Sequence, residues 1–205
     1  MPPINVVIYS DYICPFCFLA NEVVKRIKQK FDIISEWRPF ELHPYRSMMP
    51  DINSDYIKMA WLNVQRLASE NAIEIKLPSY LSISRRALET AEFARAEGKF
   101  DSCHDLIFRA YFLEGKDIEK EETLLNIIQQ LNLEPDKLKE SWKAETYFEV
   151  IKSSIRELHS LGSTAVPTFL IGNEDPRILV GLHPQATIEK VILKVQDDIK
   201  LEKKR

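Results

Sequence analysis

Strand-like runs sit at the two ends of this 205-residue chain, and the stretch between them is periodic in the helical sense. Few folds accept that order. Residues 4–10, Ile-Asn-Val-Val-Ile-Tyr-Ser, read as a buried strand. Residues 15–30 read as a helix, with Leu19, Val23, Val24 and Ile27 at helical spacing. Its last turn carries Lys25, Arg26, Lys28 and Lys30, cations suited to the negative end of the helix dipole. A second strand is predicted from Ile33 to Leu42, after which Pro44 and Pro50 break the pattern.

From about 54 to 161 the stripes are helical. Tyr56, Met59, Ala60, Val64 and Leu67 form the first; Ala87, Leu88, Ala91 and Ala94 form the next, closed by Gly98. Leu106, Ile107, Ala110 and Tyr111 follow, then Leu124, Ile127, Ile128 and Leu131. Val150, Ile151, Ile155 and Leu158 end the series, with Gly162 as a stop signal. Strand patterns return at Thr168–Ile171 and Ile178–Val180, and a helix runs from about Pro184 to Lys200. No repeat is visible at a period of 20 to 50 residues. Neither end can bury a sheet alone. Residues 1–44 and 162–205 are therefore expected to pair in one α/β sheet domain, split by an all-helical insertion domain at 45–161 that caps one edge of the sheet.

Composition adds exclusions. Hydrophobic residues make up 45 %, enough for a core, and a net charge of −3 leaves no footprint for nucleic acid. The basic end Lys203-Lys204-Arg205 reads as a solvated tail. No apolar run approaches the ~18 residues of a membrane helix, and Met1-Pro2-Pro3 leads into the first strand without a signal-peptide pattern. Three cysteines, an odd count, argue against a secreted disulfide scaffold. The expectation is a cytoplasmic protein that makes no contact with membrane.

Cys14-Pro15-Phe16-Cys17 stands between the first strand and the first helix, the placement a redox dithiol requires. Cysteines three apart on a helix share a face. Cys14 at the helix N-terminus would meet unpaired N–H groups that favour its thiolate, which makes it the exposed attacking sulfur with a lowered pKa. Pro15 suits the first helical position. Cys17, one turn in and more buried, would resolve the mixed disulfide. Two alternatives stay open: a pair of inert core cysteines, and a structural zinc site. Zinc would need further ligands, and Cys103 and His104, being adjacent, point apart on a helix.

Ala165-Val166-Pro167-Thr168-Phe169-Leu170 places a proline at the mouth of a strand, where it cannot donate to the ladder. Together with the dithiol, this segment resembles the thioredoxin superfamily. The resemblance implies a cis Val166–Pro167 bond facing the cysteines, with Val166 in contact with Cys14 and its backbone offered to substrate. It also implies that Pro167 keeps metal ions off the dithiol.

A helical insertion of this length is similar to the DsbA-like branch. Asp11-Tyr12-Ile13-Cys14-Pro15-Phe16-Cys17, Phe40-Glu41-Leu42-His43-Pro44, the segment Ala110 to Ile118 and Val166-Pro167-Thr168-Phe169 resemble its cytosolic FrnE-like proteins. That implies a thioredoxin-like sheet domain with an all-helical insertion, acting without cofactor or metal on protein or small-molecule disulfides. Phe16 stands where the family often has Trp, and Ala165 where it often has Gly. Glutathione-dependent isomerases and kappa-class transferases are similar in architecture but keep one nucleophile, against which Cys17 argues. A peptide-binding, chaperone-like module is the remaining alternative.

Asp11 is expected to terminate the strand rather than relay a proton, and His43 to be a loop residue fixed by Pro44. Cys103, with its neighbour His104 on one helical stripe, reads as a small buried hydrophobe, and Phe108, Tyr111 and Phe112 as core.

Overall fold

The computed structural model describes residues 3–44 and 47–202, so the start Met1-Pro2 and the basic tail Lys203–Arg205 lie outside the described residues. The chain order is β1 (Ile4–Ser10), α1 (Pro15–Lys28), β2 (Ile33–Pro39), α2 (Asp55–Glu70), α3 (Arg85–Ala96) and α4 (Phe100–Phe112). It continues with α5 (Glu121–Gln130), α6 (Pro135–Lys143), α7 (Phe148–Ser160), β3 (Thr168–Ile171), β4 (Arg177–Val180) and α8 (Gln185–Glu202). Strands form only near the two ends among the described residues, and they share one sheet of order β2-β1-β3-β4.

β1 pairs parallel with β2, a pairing that needs a crossover, which α1 supplies. β3 returns from the far end of the chain to pair antiparallel with β1, Val6 opposite Ile171 and Tyr9 opposite Thr168. β4 closes the other edge as an antiparallel hairpin with β3. Alternation along β1 divides the core. Ile4, Val6 and Ile8 face Ala20, Val23, Val24 and Ile27 of α1 and Ile188 and Ile192 of α8. Tyr9 belongs to a larger cluster with α1's other side, Cys17, Phe18 and Leu19, and with the helices of the middle section. α1 is therefore packed on two sides and fixes the sheet against the helices. α7 lies on β2, where the Arg38 guanidinium donates to the Glu157 carboxylate.

Three expectations are corrected. β2 ends at Pro39, not Leu42: the last bond beside it is Phe40 N–H to Ser10 carbonyl at 2.9 Å, after which Glu41 and Leu42 turn to side-chain partners. The α2 stripe was misphased at its start. Val64 and Leu67 of the expected stripe do face the core, but Tyr56 and Met59 are 78 % and 66 % exposed and Ile57 and Ala68 are buried instead, so the stripe holds in the second half of the helix and fails in its first turns. Val150 is likewise exposed on α7, whose buried positions are Ile151, Ser154 and Leu158.

Candidate active site

Cys14 is the N-cap residue of α1 and Pro15 starts the helix. The Cys14 carbonyl accepts the N–H of Cys17 at 3.0 Å and of Phe18 at 3.2 Å, so the first turn forms directly around the dithiol. Both cysteines are free thiols, and Cys17 is fully buried. Burial raises the Cys17 pKa well above the usual thiol range, and contact with the Cys14 thiol adds to it. The Asp11 backbone N–H and the Ser10 hydroxyl act in the opposite direction.

The Val166–Pro167 peptide bond is cis, and the Cys14 thiol donates to the Val166 carbonyl at 3.6 Å. That loop is held from both sides. Gly181 N–H donates to the Pro167 carbonyl at 2.7 Å, and the Thr168 hydroxyl to the Ala165 carbonyl at 2.7 Å.

The expected exposure of Cys14 is not found: it is 3 % exposed. Its thiol lies against the Val166 carbonyl, and it belongs to the large apolar cluster that also holds Tyr12, Ile13, Phe40 and Val166. Cys17 is nevertheless the deeper of the two.

Asp11 is buried and spends both carboxylate oxygens on the backbone, accepting from Ile13 N–H at 3.3 Å and Leu42 N–H at 2.6 Å. It ties the Cys14 loop to the exit of β2. Burial pushes its pKa up to about 7, against these hydrogen bonds and the Ser84 hydroxyl, which lower it. His43 is half-buried in the following loop, and burial lowers its pKa. Cys103 and His104 are both buried on α4 but diverge: the Cys103 thiol faces the Thr90 carbonyl at 4.0 Å, and His104 Nδ1 lies 2.9 Å from the Tyr12 hydroxyl. Among the described residues no cluster of three His, Cys, Asp or Glu could hold a metal ion. Nor is any helix there long and apolar enough to cross a membrane.

Sequence reasoning missed two features. One is the pairing of the Tyr12 hydroxyl with His104 Nδ1 at 2.9 Å, which no spacing rule announces. The other is the ion pair of Glu41 with Arg85, whose Nε donates to Oε1 at 3.1 Å; it joins the exit of β2 to α3.

The chain is 28 % identical over 194 residues to the uncharacterized protein YwbO of Bacillus subtilis (strain 168), covering 92 % of this chain and 96 % of that one. In three dimensions it is similar to a probable DsbA oxidoreductase of Streptomyces coelicolor, with a TM-score of 0.82 at 18 % identity over 95 % of this chain and 90 % of that one. A 2-hydroxychromene-2-carboxylate isomerase superposes with a TM-score of 0.80 at 18 % identity, over 96 % and 98 % of the two chains. The cytosolic disulfide reductase DsbM of Pseudomonas aeruginosa gives 0.72 at 16 %, over 96 % and 99 %, and has also been solved with glutathione. At these identities the structures establish a common fold. Residues 5–193 match the family described as DSBA-like thioredoxin domain, and a match over nearly the whole length means that this chain belongs to that family.

Proposed function

We propose that the protein is a thiol–disulfide oxidoreductase in which Cys14 attacks and Cys17 resolves. The observation that carries this reading is the placement of Cys14: N-cap of α1, Cys17 one turn behind it, and its thiol against the Val166 carbonyl before the cis proline. The Cys14 thiolate attacks a substrate disulfide, forming a mixed disulfide and releasing one substrate thiol. Cys17 then attacks the Cys14 sulfur, and the second substrate thiol leaves as the intramolecular disulfide forms. The substrate is reduced and the dithiol oxidised; the reverse sequence oxidises a substrate dithiol. The exchange needs no cofactor or metal. Val166 and Pro167 are assigned to substrate docking, with the Val166 backbone offered for strand-like pairing.

In this reading residues 1–44 and 162–205 form the thioredoxin-like unit that carries the chemistry, and 45–161 the helical insertion that shapes access to it. FrnE-like cytosolic proteins are the branch it fits best, and a cytoplasmic location follows. Near-complete burial of Cys14 favours small thiols and disulfides, or thin extended segments, over broad protein surfaces. The glutathione-bound neighbour points the same way. The isomerase neighbour marks the competing reading, but the second cysteine has no role there.

Incubation of the reduced protein with glutathione disulfide, followed by mass spectrometry, tests this. The wild type should lose two hydrogens as the 14–17 disulfide forms. Cys14→Ser should be inert, and Cys17→Ser should hold a glutathione adduct on Cys14. Full turnover by Cys14→Ser would reject the assignment.

A further inference from the structure

Tyr12 lies inside the turn that leads to Cys14. The Asp11 carbonyl accepts the Cys14 N–H at 3.1 Å, which closes Asp11–Cys14 as a β-turn with Tyr12 and Ile13 at its centre. The Asp11 carboxylate braces the same turn from within, through the Ile13 N–H at 3.3 Å. A turn closed in this way moves as a unit, so whatever holds the Tyr12 side chain also holds the place where Cys14 caps α1.

That hold comes from 92 residues away. The Tyr12 hydroxyl lies 2.9 Å from His104 Nδ1 on α4, and both side chains are buried. The imidazole is walled by aromatic rings: Trp37 with centroids 4.6 Å apart, Phe100 stacked at 5.3 Å and Phe108 edge-on at 4.9 Å. Phe108 also meets the Tyr12 ring at 4.9 Å. Burial, reinforced by the charges of Lys25, Arg95 and Lys28, keeps the imidazole neutral, and burial keeps the Tyr12 hydroxyl protonated. A neutral imidazole has one donor and one acceptor nitrogen. With Nδ1 as donor, the Tyr12 O–H and the Nε2 lone pair would both lack partners among the described residues; with Tyr12 as donor, only the Nε2–H does. Tyr12 O–H therefore donates to Nδ1.

Packing does not require this bond. A phenylalanine at each position would fill the same space, and the cavity of about 10 Å³ that both side chains line takes up the slightly larger ring at 104. Replacing both partners of a buried hydrogen bond by apolar groups of the same shape is nearly neutral. What the bond adds to apolar contact is direction, which fixes one setting of the ring and of the turn that carries it.

We propose that Tyr12 and His104 are positioning residues for the attack step, their hydrogen bond latching the Asp11–Cys14 turn to α4 so that the Cys14 sulfur keeps its place against the Val166 carbonyl. This rests on Cys14 being the attacking thiol. Its thiolate must line up with the substrate disulfide as the new S–S bond forms, the old one breaks and the electron pair leaves with the released thiolate. A sulfur on an unlatched turn spends less time in line. Both residues act through the turn and exchange no proton with the sulfurs.

The test mixes reduced full-length protein with glutathione disulfide, quenches with acid at intervals and follows mixed and intramolecular disulfides by mass. Tyr12→Phe should form the mixed disulfide about five- to tenfold more slowly, the worth of one neutral hydrogen bond. It should resolve that disulfide at the wild-type rate, because the first turn of α1 sets the spacing of the two cysteines. Tyr12→Phe combined with His104→Phe should attack no more slowly than the slower single variant, since one bond is lost once, and should melt within a few degrees of the wild type. A last comparison separates the bond from packing. Phenylalanine is the better filler at 104, whereas asparagine returns an oxygen near the Nδ1 position, so His104→Asn should attack faster than His104→Phe. Wild-type attack by Tyr12→Phe, or His104→Asn no faster than His104→Phe, overturns the proposal. Equal slowing of attack and resolution, the mark of a general loosening, overturns it too. If Cys17→Ser captures no adduct on Cys14, the reading beneath it has failed, whatever these rates.

Discussion

Three free cysteines occupy three different environments, and their reactivities should separate accordingly. Cys103 sits on α4 with its thiol raised to about 12 by burial alone, so it should resist alkylation at neutral pH. Cys17 is fully buried and held protonated. Cys14, capping α1, should be the first carboxamidomethylated by iodoacetamide, as peptide mapping over time would show; faster labelling of Cys103 would contradict the assignment. Asp11 gives a pH prediction. Its folded pKa of about 7 lies above its ordinary value of 3.8, so its proton favours the folded state. That contribution is complete below about pH 4 and is lost as pH rises to about 7. In denaturant titrations Asp11→Asn should flatten the fall in stability between pH 4 and pH 7, at the constant cost of one backbone acceptor. The dithiol was legible because Cys-x-x-Cys beside a strand and a proline is a local pattern. The burial of Cys14 was not, because Val166 reaches it from 152 residues away in sequence.

At the scale of elements, helix ends were readable where glycine marked them and unreadable where it did not. Gly98 and Gly162 take positive φ of 69° and 77°, and the residue after each donates back to the helix: Lys99 N–H to the Ala94 carbonyl at 2.7 Å, Ser163 N–H to Leu158 at 3.2 Å. The same closure ends α2 at Ala72, α5 at Asn132 and α6 at Glu145, with φ of 50°, 57° and 50°, and only Asn132 gives any sequence hint. The phase of the first turns of α2 was hidden for a related reason. An amphipathic stripe gives a period, but Tyr56 and Met59 are as apolar as the face that packs, and only the neighbouring helices choose between them. Ala72→Gly should therefore stabilise by about 0.5–1 kcal/mol, by relieving a left-handed alanine. Gly162→Ala should cost about 1–2 kcal/mol, entirely in backbone strain, since a methyl there meets nothing within 4 Å. Chemical denaturation of both variants checks the pair, and equal signs would refute the argument.

For the whole molecule, the split arrangement read from the order of patterns is realised because β3 and β4 complete a sheet that β1 and β2 begin, while α1 faces both the sheet and the helices. What sequence could not supply is the fastening between the two ends and the middle, which rests on long-range polar pairs. Glu41 is the clearest of these. Its carboxylate lies buried just beyond β2 and is gripped at both oxygens by Arg85 at the start of α3. The next residue, Leu42, donates its N–H to Asp11, so the grip continues into the loop that presents Cys14. Removing the guanidinium forfeits two charge-assisted hydrogen bonds to a buried carboxylate. Arg85→Ala should therefore lower stability by about 2 kcal/mol, or roughly 4–8 °C in melting temperature for a chain of this size. Far-ultraviolet circular dichroism and tryptophan fluorescence should still melt together, because α1 is shared by both cores. Glutathione disulfide consumption by the folded variant should slow as well, since the Asp11–Leu42 contact that orders the Cys14 loop loses its support. A stability loss below about 1 kcal/mol, the range of an exposed ion pair, would show that Arg85 does not fasten the helices to the sheet.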